Sequence, residues 1–314
     1  MFDAKKFVEE TIEYLKANID GNSIIAVSGG VDSTVAAKIT HMAIGDRLYP
    51  IFIDTGLMRK NEANNVKNMF LSIGMNIIVH DASDDFLLHL KNVTDPEQKR
   101  KIIGERFIRN FENFAEKVNA KYLIQGTIAP DWIESGGGIR ETIKTHHNVG
   151  GLPKDIKLKV IEPLRDLYKD EVREVAKYLN IPVWDRQPFP GPGLAIRIIG
   201  EVTKEKLDKL REVTEIVEQY VEKLVNQNRI EKPWQYFAIL LPVKSTGVHG
   251  DKRAYGDTVV LRIVDSIDGM SGTFSKIPLD ELEKISIEIT NKIPDINRVV
   301  YDITNKPPAT IEWE

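Results

Sequence analysis

Along the first two-thirds of the chain the apolar residues follow two rhythms in turn. Phe2, Phe7, Ile12 and Leu15 recur near one face at helical spacing, which predicts a helix over 2–18. Ser23 to Val27 is a short apolar run with β-branched residues, bounded by Gly21 and by Ser28-Gly29-Gly30, and it reads as a buried strand. A helical pattern over 33–43 leads to a second strand at 48–53, a third follows at 76–80 and a fourth at 122–125, with helical stretches over 61–73 and 97–119. Strands alternating with helices of this length predict an α/β domain whose parallel sheet is covered on both faces.

The rhythm changes near residue 190. Gln187-Pro188-Phe189-Pro190-Gly191-Pro192-Gly193 is too rich in proline and glycine for any regular element. A long amphipathic helix follows over 203–226, with Leu207, Leu210, Val213, Val217, Val221 and Leu224 three or four residues apart. Strands at 235–242 and 257–265, a helix from Pro278 to about Asn291 and a strand at 297–303 complete the pattern. These elements predict a first domain over 1–194 and a smaller α+β domain over 195–314. A length of 314 residues agrees with two domains at about 150 residues each.

Composition narrows the function. With 43 Lys and Arg against 47 Asp and Glu the net charge is −4, which argues against a broad nucleic-acid or anionic-membrane surface. No apolar run approaches the roughly 18 residues of a membrane span, and the N-terminus does not read as a signal peptide, so a cytoplasmic protein is expected. The cysteine count is zero, which removes disulfides, thiolate metal sites and every mechanism with a cysteine nucleophile.

The chemistry concentrates at Ser28-Gly29-Gly30-Val31-Asp32-Ser33-Thr34, between the first strand and the following helix. Such a turn offers main-chain N–H groups and the positive end of a helix dipole to an anion, and glycines let a phosphate approach with no Cβ in the way. Ser28, Ser33 and Thr34 add hydroxyl donors. Asp32 would repel phosphate unless a divalent cation lies between them. The turn lacks the Gly-Lys-Ser/Thr of the Walker loop and the Gly-x-Gly-x-x-Gly of dinucleotide folds.

The turn is similar to the SGGxDS loop of the N-type ATP pyrophosphatases, which cut ATP between its α and β phosphates. Further segments extend the likeness over nearly the whole chain: DTGLMRKNE at 54–62, KRKIIGERF at 99–107, QGTIAPDWIESGGG at 125–138, KTHHNVGGLP at 144–153, RQPFPGPGLAIRIIG at 186–200 and VVYDITNKPPATIEWE at 299–314. With them the chain resembles the synthetase part of the GMP synthase family. The resemblance implies an N-type ATP pyrophosphatase domain followed by a C-terminal dimerisation and XMP-binding domain. It also implies adenylation of XMP by ATP with Mg2+, then amination by ammonia to give GMP and AMP.

Residue roles follow from the resemblance, position by position. Lys144 is implied as a lid lysine that meets the phosphates during adenylation, with Asp131, Glu134, His146 and His147 in the same lid. Arg100, Asp251, Lys306 and Glu312 are implied at the XMP site. By itself the run Lys99-Arg100-Lys101 reads as a solvated helix face, and Lys306 and Glu312 as a charge pair suited to phosphate and purine N–H groups. Asp54, past the second strand, stands near the expected adenosine or caps a turn. A position aligned with a polar XMP contact of some relatives is here Gly256 or its neighbour, and that contact is left unassigned.

Many members of the family carry a glutaminase domain with a nucleophilic cysteine. A chain without cysteine needs a separate amidotransferase subunit as its source of ammonia, the arrangement of the two-subunit archaeal type. A homodimer through the C-terminal domain is implied as well. Two other readings compete: a sister pyrophosphatase such as NAD synthetase, and a non-catalytic nucleotide-binding module.

Overall fold

The structure, a computed structural model, describes residues 2–130, 158–182, 187–249, 251–267 and 269–314. Asp131, Glu134, Lys144, His146 and His147, the expected lid residues, lie outside the described residues. Two compact units divide the chain: one takes Met1–Gly56, Asn61–Phe86 and Ile103–Arg186, the other Leu57–Lys60, Leu87–Ile102 and Gln187–Glu314.

In the first unit helix α1 (Ala4–Asn18) starts at an Asp3 cap that accepts from Lys6 N–H. Strand β1 (Ser23–Ala26) feeds α2 (Val31–Ile44), and β2 (Leu48–Asp54), α3 (Glu62–Ser72) and β3 (Ile78–Asp81) follow. Then come β4 (Tyr122–Ile124), β5 (Lys159–Ile161) and α6 (Lys169–Tyr178), while α4 (Ser83–Leu90) and α5 (Pro96–Lys117), before β4 in the chain, are each divided between the two units, Leu87–Ile102 belonging to the second. The five strands form one sheet in the order β3-β2-β1-β4-β5, and each neighbouring pair is parallel.

Successive strand residues face opposite sides of a sheet. Ile24 and Ile25 are both 1% exposed, and Ile51, Phe52 and Ile53 are all buried, so both faces of the sheet are covered, as a parallel sheet requires. Helices α1, α2 and α6 pack against one another. Element α4, strand β5 and helix α6 have no counterpart in the sequence reading. Strand β5 is three residues long, two of them exposed, and shows no apolar run to find.

In the second unit α7 (Lys204–Asn226) is capped by Thr203, whose hydroxyl accepts from Lys206 N–H at 3.3 Å. All six apolar residues of its expected stripe are buried. Strands β6 (Gln235–His249) and β7 (Lys252–Asp265) form a long antiparallel hairpin with a register shift between Leu240 and Lys244. Short β8 (Thr273–Phe274) pairs antiparallel with β7, helix α8 (Leu279–Lys292) follows, and β9 (Ile296–Tyr301) pairs parallel with β7. Strand β6 runs seven residues past its expected end and β7 starts five residues before its expected start; the outer ribbon escaped the reading because it carries polar residues such as Lys244, Thr246 and Lys252 and no apolar alternation.

Helix α7 packs on β6, and α8 on β9. A second layer lies over Phe237, Ile239 and Val260, where Ile199, Leu241 and Ile311 pack. Segment Leu57–Lys60 belongs to this unit: Arg59 pairs with Glu218 at 2.7 Å, Lys60 with Glu212 and Glu215, and Arg211 Nε donates to the Met58 carbonyl at 3.0 Å.

Candidate functional site

Strand order in the first sheet reverses at β1, which lies between β2 and β4. Open α/β sheets bind ligands at that point, off the carboxyl ends of the strands. The Ser28–Thr34 turn leaves β1 there. Gly29 has φ 76°, in the left-handed region that glycine adopts at no steric cost, and Gly30 caps α2 without a side chain. Gly126 lies against the same turn. A Cβ at that position would stand 3.0 Å from main-chain atoms of Asp32 and Ser33, so a side chain there would need the start of α2 to give way by a few tenths of an ångström.

The hydroxyls divide into two kinds. Ser28 is exposed, and its Oγ stands 3.2 Å from Ser33 Oγ and accepts from Gly30 N–H at 3.3 Å. Thr34 corrects the expectation. Its side chain is fully buried and its hydroxyl donates to the Gly30 carbonyl at 2.7 Å, inside the first turn of α2, so it has no proton for an anion.

Asp32 is the centre of charge in the turn. Its Oδ2 accepts from Lys169 Nζ at 2.5 Å, while its Oδ1 is buried and finds no hydrogen-bond partner among the described residues. A buried carboxylate oxygen without a donor is costly unless a ligand completes it. Lys169, the first residue of α6, was not foreseen. Its sequence signal was the charged start of an amphipathic segment, Lys169-Asp170-Glu171-Val172. Among the described residues no cluster of three His, Asp, Glu or Cys side chains could hold a metal ion, so a cation here would rest on Asp32 and on oxygens brought by its ligand.

Asp54 takes the turn role. Its Oδ1 accepts from Gly56 N–H at 3.0 Å, and Gly56 itself has φ 71°.

The second unit gathers other expected residues around its last segment. Arg100 is held by that segment: its Nη2 donates to the Glu314 main-chain oxygen at 2.5 Å, and its Nη1 to Glu97 at 3.0 Å. Lys306 exchanges main-chain hydrogen bonds with Gly272 and gives its ammonium to the Gly269 carbonyl at 2.8 Å. Glu312 is held by Arg197 through two hydrogen bonds, at 2.9 and 2.6 Å. Lys306 and Glu312 are therefore each engaged separately and do not pair with each other. Asp251 sits exposed at the turn between β6 and β7, with no hydrogen bond or ion pair to Arg100, Lys306 or Glu312. At Gly256 a Cβ would stand 2.5 Å from the Asp295 carbonyl, which explains why no side chain takes that place.

Three buried cations hold this segment. Arg262 Nη1 and Nη2 donate to the carbonyls of Thr304 and Thr310 at 2.6 and 3.0 Å, and Asp302 lies 3.3 Å from it. Lys99 corrects the solvated-face reading. It is 0% exposed, donates to the carbonyls of Ala195 and Ile198 at 3.2 and 2.7 Å, and pairs with the Glu314 carboxylate. Burial pushes the Lys99 ammonium below its ordinary pKa, against the pull of Glu314. Arg197 and Arg262 left a sequence signal that went unread. Each stands alone inside an apolar run, Ala195-Ile196-Arg197-Ile198 and Val260-Leu261-Arg262-Ile263, where a charge is buried only with partners.

Known proteins resemble both parts of the chain. The model of the NAD synthase family matches residues 2–128, and that of the GMP synthase C terminal domain matches 222–313. A subunit of the glutamine-hydrolyzing GMP synthase of Thermoplasma volcanium is 59% identical over 308 residues, covering 98% of this chain and 98% of its own. The corresponding GMP synthase subunit of Methanopyrus kandleri is 55% identical over 318 residues, with 100% of each chain covered. Among solved structures, NMN synthetase from Francisella tularensis is similar with a TM-score of 0.48 and 16% identity, over 73% of this chain and 94% of its own. On full-length identity of this degree, the chain belongs to the family of these glutamine-hydrolyzing GMP synthase subunits, the synthetase part of that ATP-dependent ligase.

Proposed function

We propose that this chain adenylates XMP with ATP and passes the activated purine to ammonia, forming GMP and AMP. The observation that carries the proposal is the turn at the reversal point of the sheet, with a buried Asp32 oxygen left for a ligand to complete. In the first step the oxygen at C2 of the xanthine base attacks the α-phosphorus of ATP and pyrophosphate leaves. In the second, ammonia adds at C2 and AMP leaves with that oxygen. A purine carbonyl oxygen is a poor leaving group, and the adenylyl ester makes it a good one.

The main-chain N–H groups of Gly29 to Ser33 and the dipole of α2 bind the polyphosphate, and Ser28 and Ser33 add hydroxyls. Asp32 would hold a Mg2+ ion that arrives with ATP and screens charge growing on the leaving pyrophosphate. Lys169 orients Asp32 through their ion pair. Lys144 is assigned to the phosphates in the adenylation step, with Asp131, Glu134, His146 and His147 around it. Arg100, Lys306 and Glu312, with Asp251, are assigned to XMP.

Ammonia comes from a separate glutamine amidotransferase subunit, since no residue of this chain is a cysteine and its relatives are described as one subunit of a glutamine-hydrolyzing enzyme. The second unit is assigned to homodimerisation, and the protein to the cytoplasm. Among the described residues no helix is long and apolar enough to cross a membrane.

Incubation with ATP, Mg2+, XMP and ammonium tests the reading. Pyrophosphate and GMP are expected in equal amounts, and no pyrophosphate without XMP. Asp32→Ala is expected to lower the rate about 100-fold or more, the scale of losing a group that stabilises transition-state charge. Pyrophosphate release indifferent to XMP contradicts the assignment.

A further inference from the structure

Glu312 owes its orientation to one buried guanidinium. Arg197 ends the short 3-10 turn Gly193–Arg197 and is 1% exposed. Its Nε and Nη2 meet Oε2 and Oε1 of Glu312 at 2.9 and 2.6 Å, a fork against a fork. The guanidinium carbon lies 3.8 Å from the ring centroid of Phe237 and 5.3 Å from that of Phe189. Two rings limit how the guanidinium plane can turn, and the bidentate contact passes that plane on to the carboxylate.

The main chain on either side of Glu312 is secured without Arg197. Arg262, whose cross-strand partner is Phe237, holds the carbonyls of Thr304 and Thr310. Ile311 packs over Phe237, Ile239 and Val260, and Lys99 holds Glu314. What remains free at position 312 is the side-chain torsions, and these Arg197 sets. The fork takes one lone pair from each carboxylate oxygen, and the Glu312 side chain keeps 18% of its surface exposed, so its outer edge can still accept.

We propose that Arg197 is a positioning residue for purine recognition: it does not touch XMP, but holds the Glu312 side chain with its free lone pairs aimed at the N–H groups of the xanthine base. The inference rests on the reading that Glu312 holds XMP. A lysine at 197 would keep the charge and lose the fork.

Arg197→Lys, Glu312→Gln and the double variant are compared for KM of XMP, KM of ATP, kcat with ammonium and Tm. Arg197→Lys is expected to raise the KM for XMP by about tenfold, the scale of one lost charge-assisted contact, with the KM for ATP within about twofold of wild type. In the Glu312→Gln background the same change is expected to add less than about twofold, because the group it positions is gone. Phe189→Leu leaves both charges in place and loosens the stack. It is expected to raise the KM for XMP a few-fold with no change for ATP, and it decides the matter if Arg197→Lys does not fold.

The inference is overturned if Arg197→Lys leaves the KM for XMP unchanged, raises both KM values alike, or keeps its full effect beside Glu312→Gln. An unchanged KM for XMP in Phe189→Leu overturns it where Arg197→Lys yields no folded protein. If Glu312→Gln itself leaves the KM for XMP unchanged, the assignment of Glu312 to XMP falls too. If Glu312→Gln raises it and Arg197→Lys does not, only the positioning role falls.

Discussion

Buried charges with complete sets of partners decide how the last residues of this chain behave. Terminal segments fray unless something ties them down. Here Asp302 accepts from Thr304 N–H and Trp313 Nε1, both at 2.9 Å, beside Arg262. Burial alone would lift the Asp302 pKa, but hydrogen bonds from the Thr304 main chain and side chain and from Trp313, with the Arg262 charge, outweigh it and hold the carboxyl below its ordinary value. A depressed carboxyl stabilises the fold above its unfolded pKa, about 3.9, and loses that contribution as pH falls from there towards its folded value. Asp302→Asn is therefore expected to lower Tm at pH 7, on the scale of about 1.5–3 kcal/mol for a hydrogen-bonded charge. The gap should close below about pH 4. Thermal melts across pH check it, and a gap that widens in acid contradicts it.

Elements were legible wherever their apolar period was long. The stripe of α7 from Leu207 to Leu224 and the runs of β1 and β2 were readable because one face, or both, had to be buried. Short or polar elements were not: β5 has three residues, and the outer β6–β7 ribbon has no apolar alternation. The turn between β1 and α2 was readable from two glycines between a strand and a helix. The close approach at Gly126 was not, since it arises from a neighbour in space nearly a hundred residues away in sequence. Gly126→Val is expected to push the first turn of α2 out of place and raise the KM for ATP several-fold, with the KM for XMP less affected. Steady-state kinetics with circular dichroism as a folding control test this, and an unchanged KM for ATP contradicts it. Arg197 and Lys99 show the same limit at the other site, because burial of a charge depends on partners that the local sequence does not contain.

At the scale of the whole molecule, the chain holds a five-stranded parallel sheet and a second unit whose last segment is moored by buried cations, and it holds no cysteine. Purified alone, it is expected to convert XMP to GMP with ammonium salts and not with glutamine. Glutamine-dependent turnover is expected only when an amidotransferase subunit is added, and robust turnover of glutamine by this chain alone contradicts that division of labour. The chemistry itself has a direct isotopic signature. XMP carrying 18O at C2, turned over with ATP and ammonium, should deliver its label to the phosphate of AMP, one 18O for each GMP formed. AMP free of label, with the 18O released to water or pyrophosphate, would mean that the purine oxygen never took the adenylyl group.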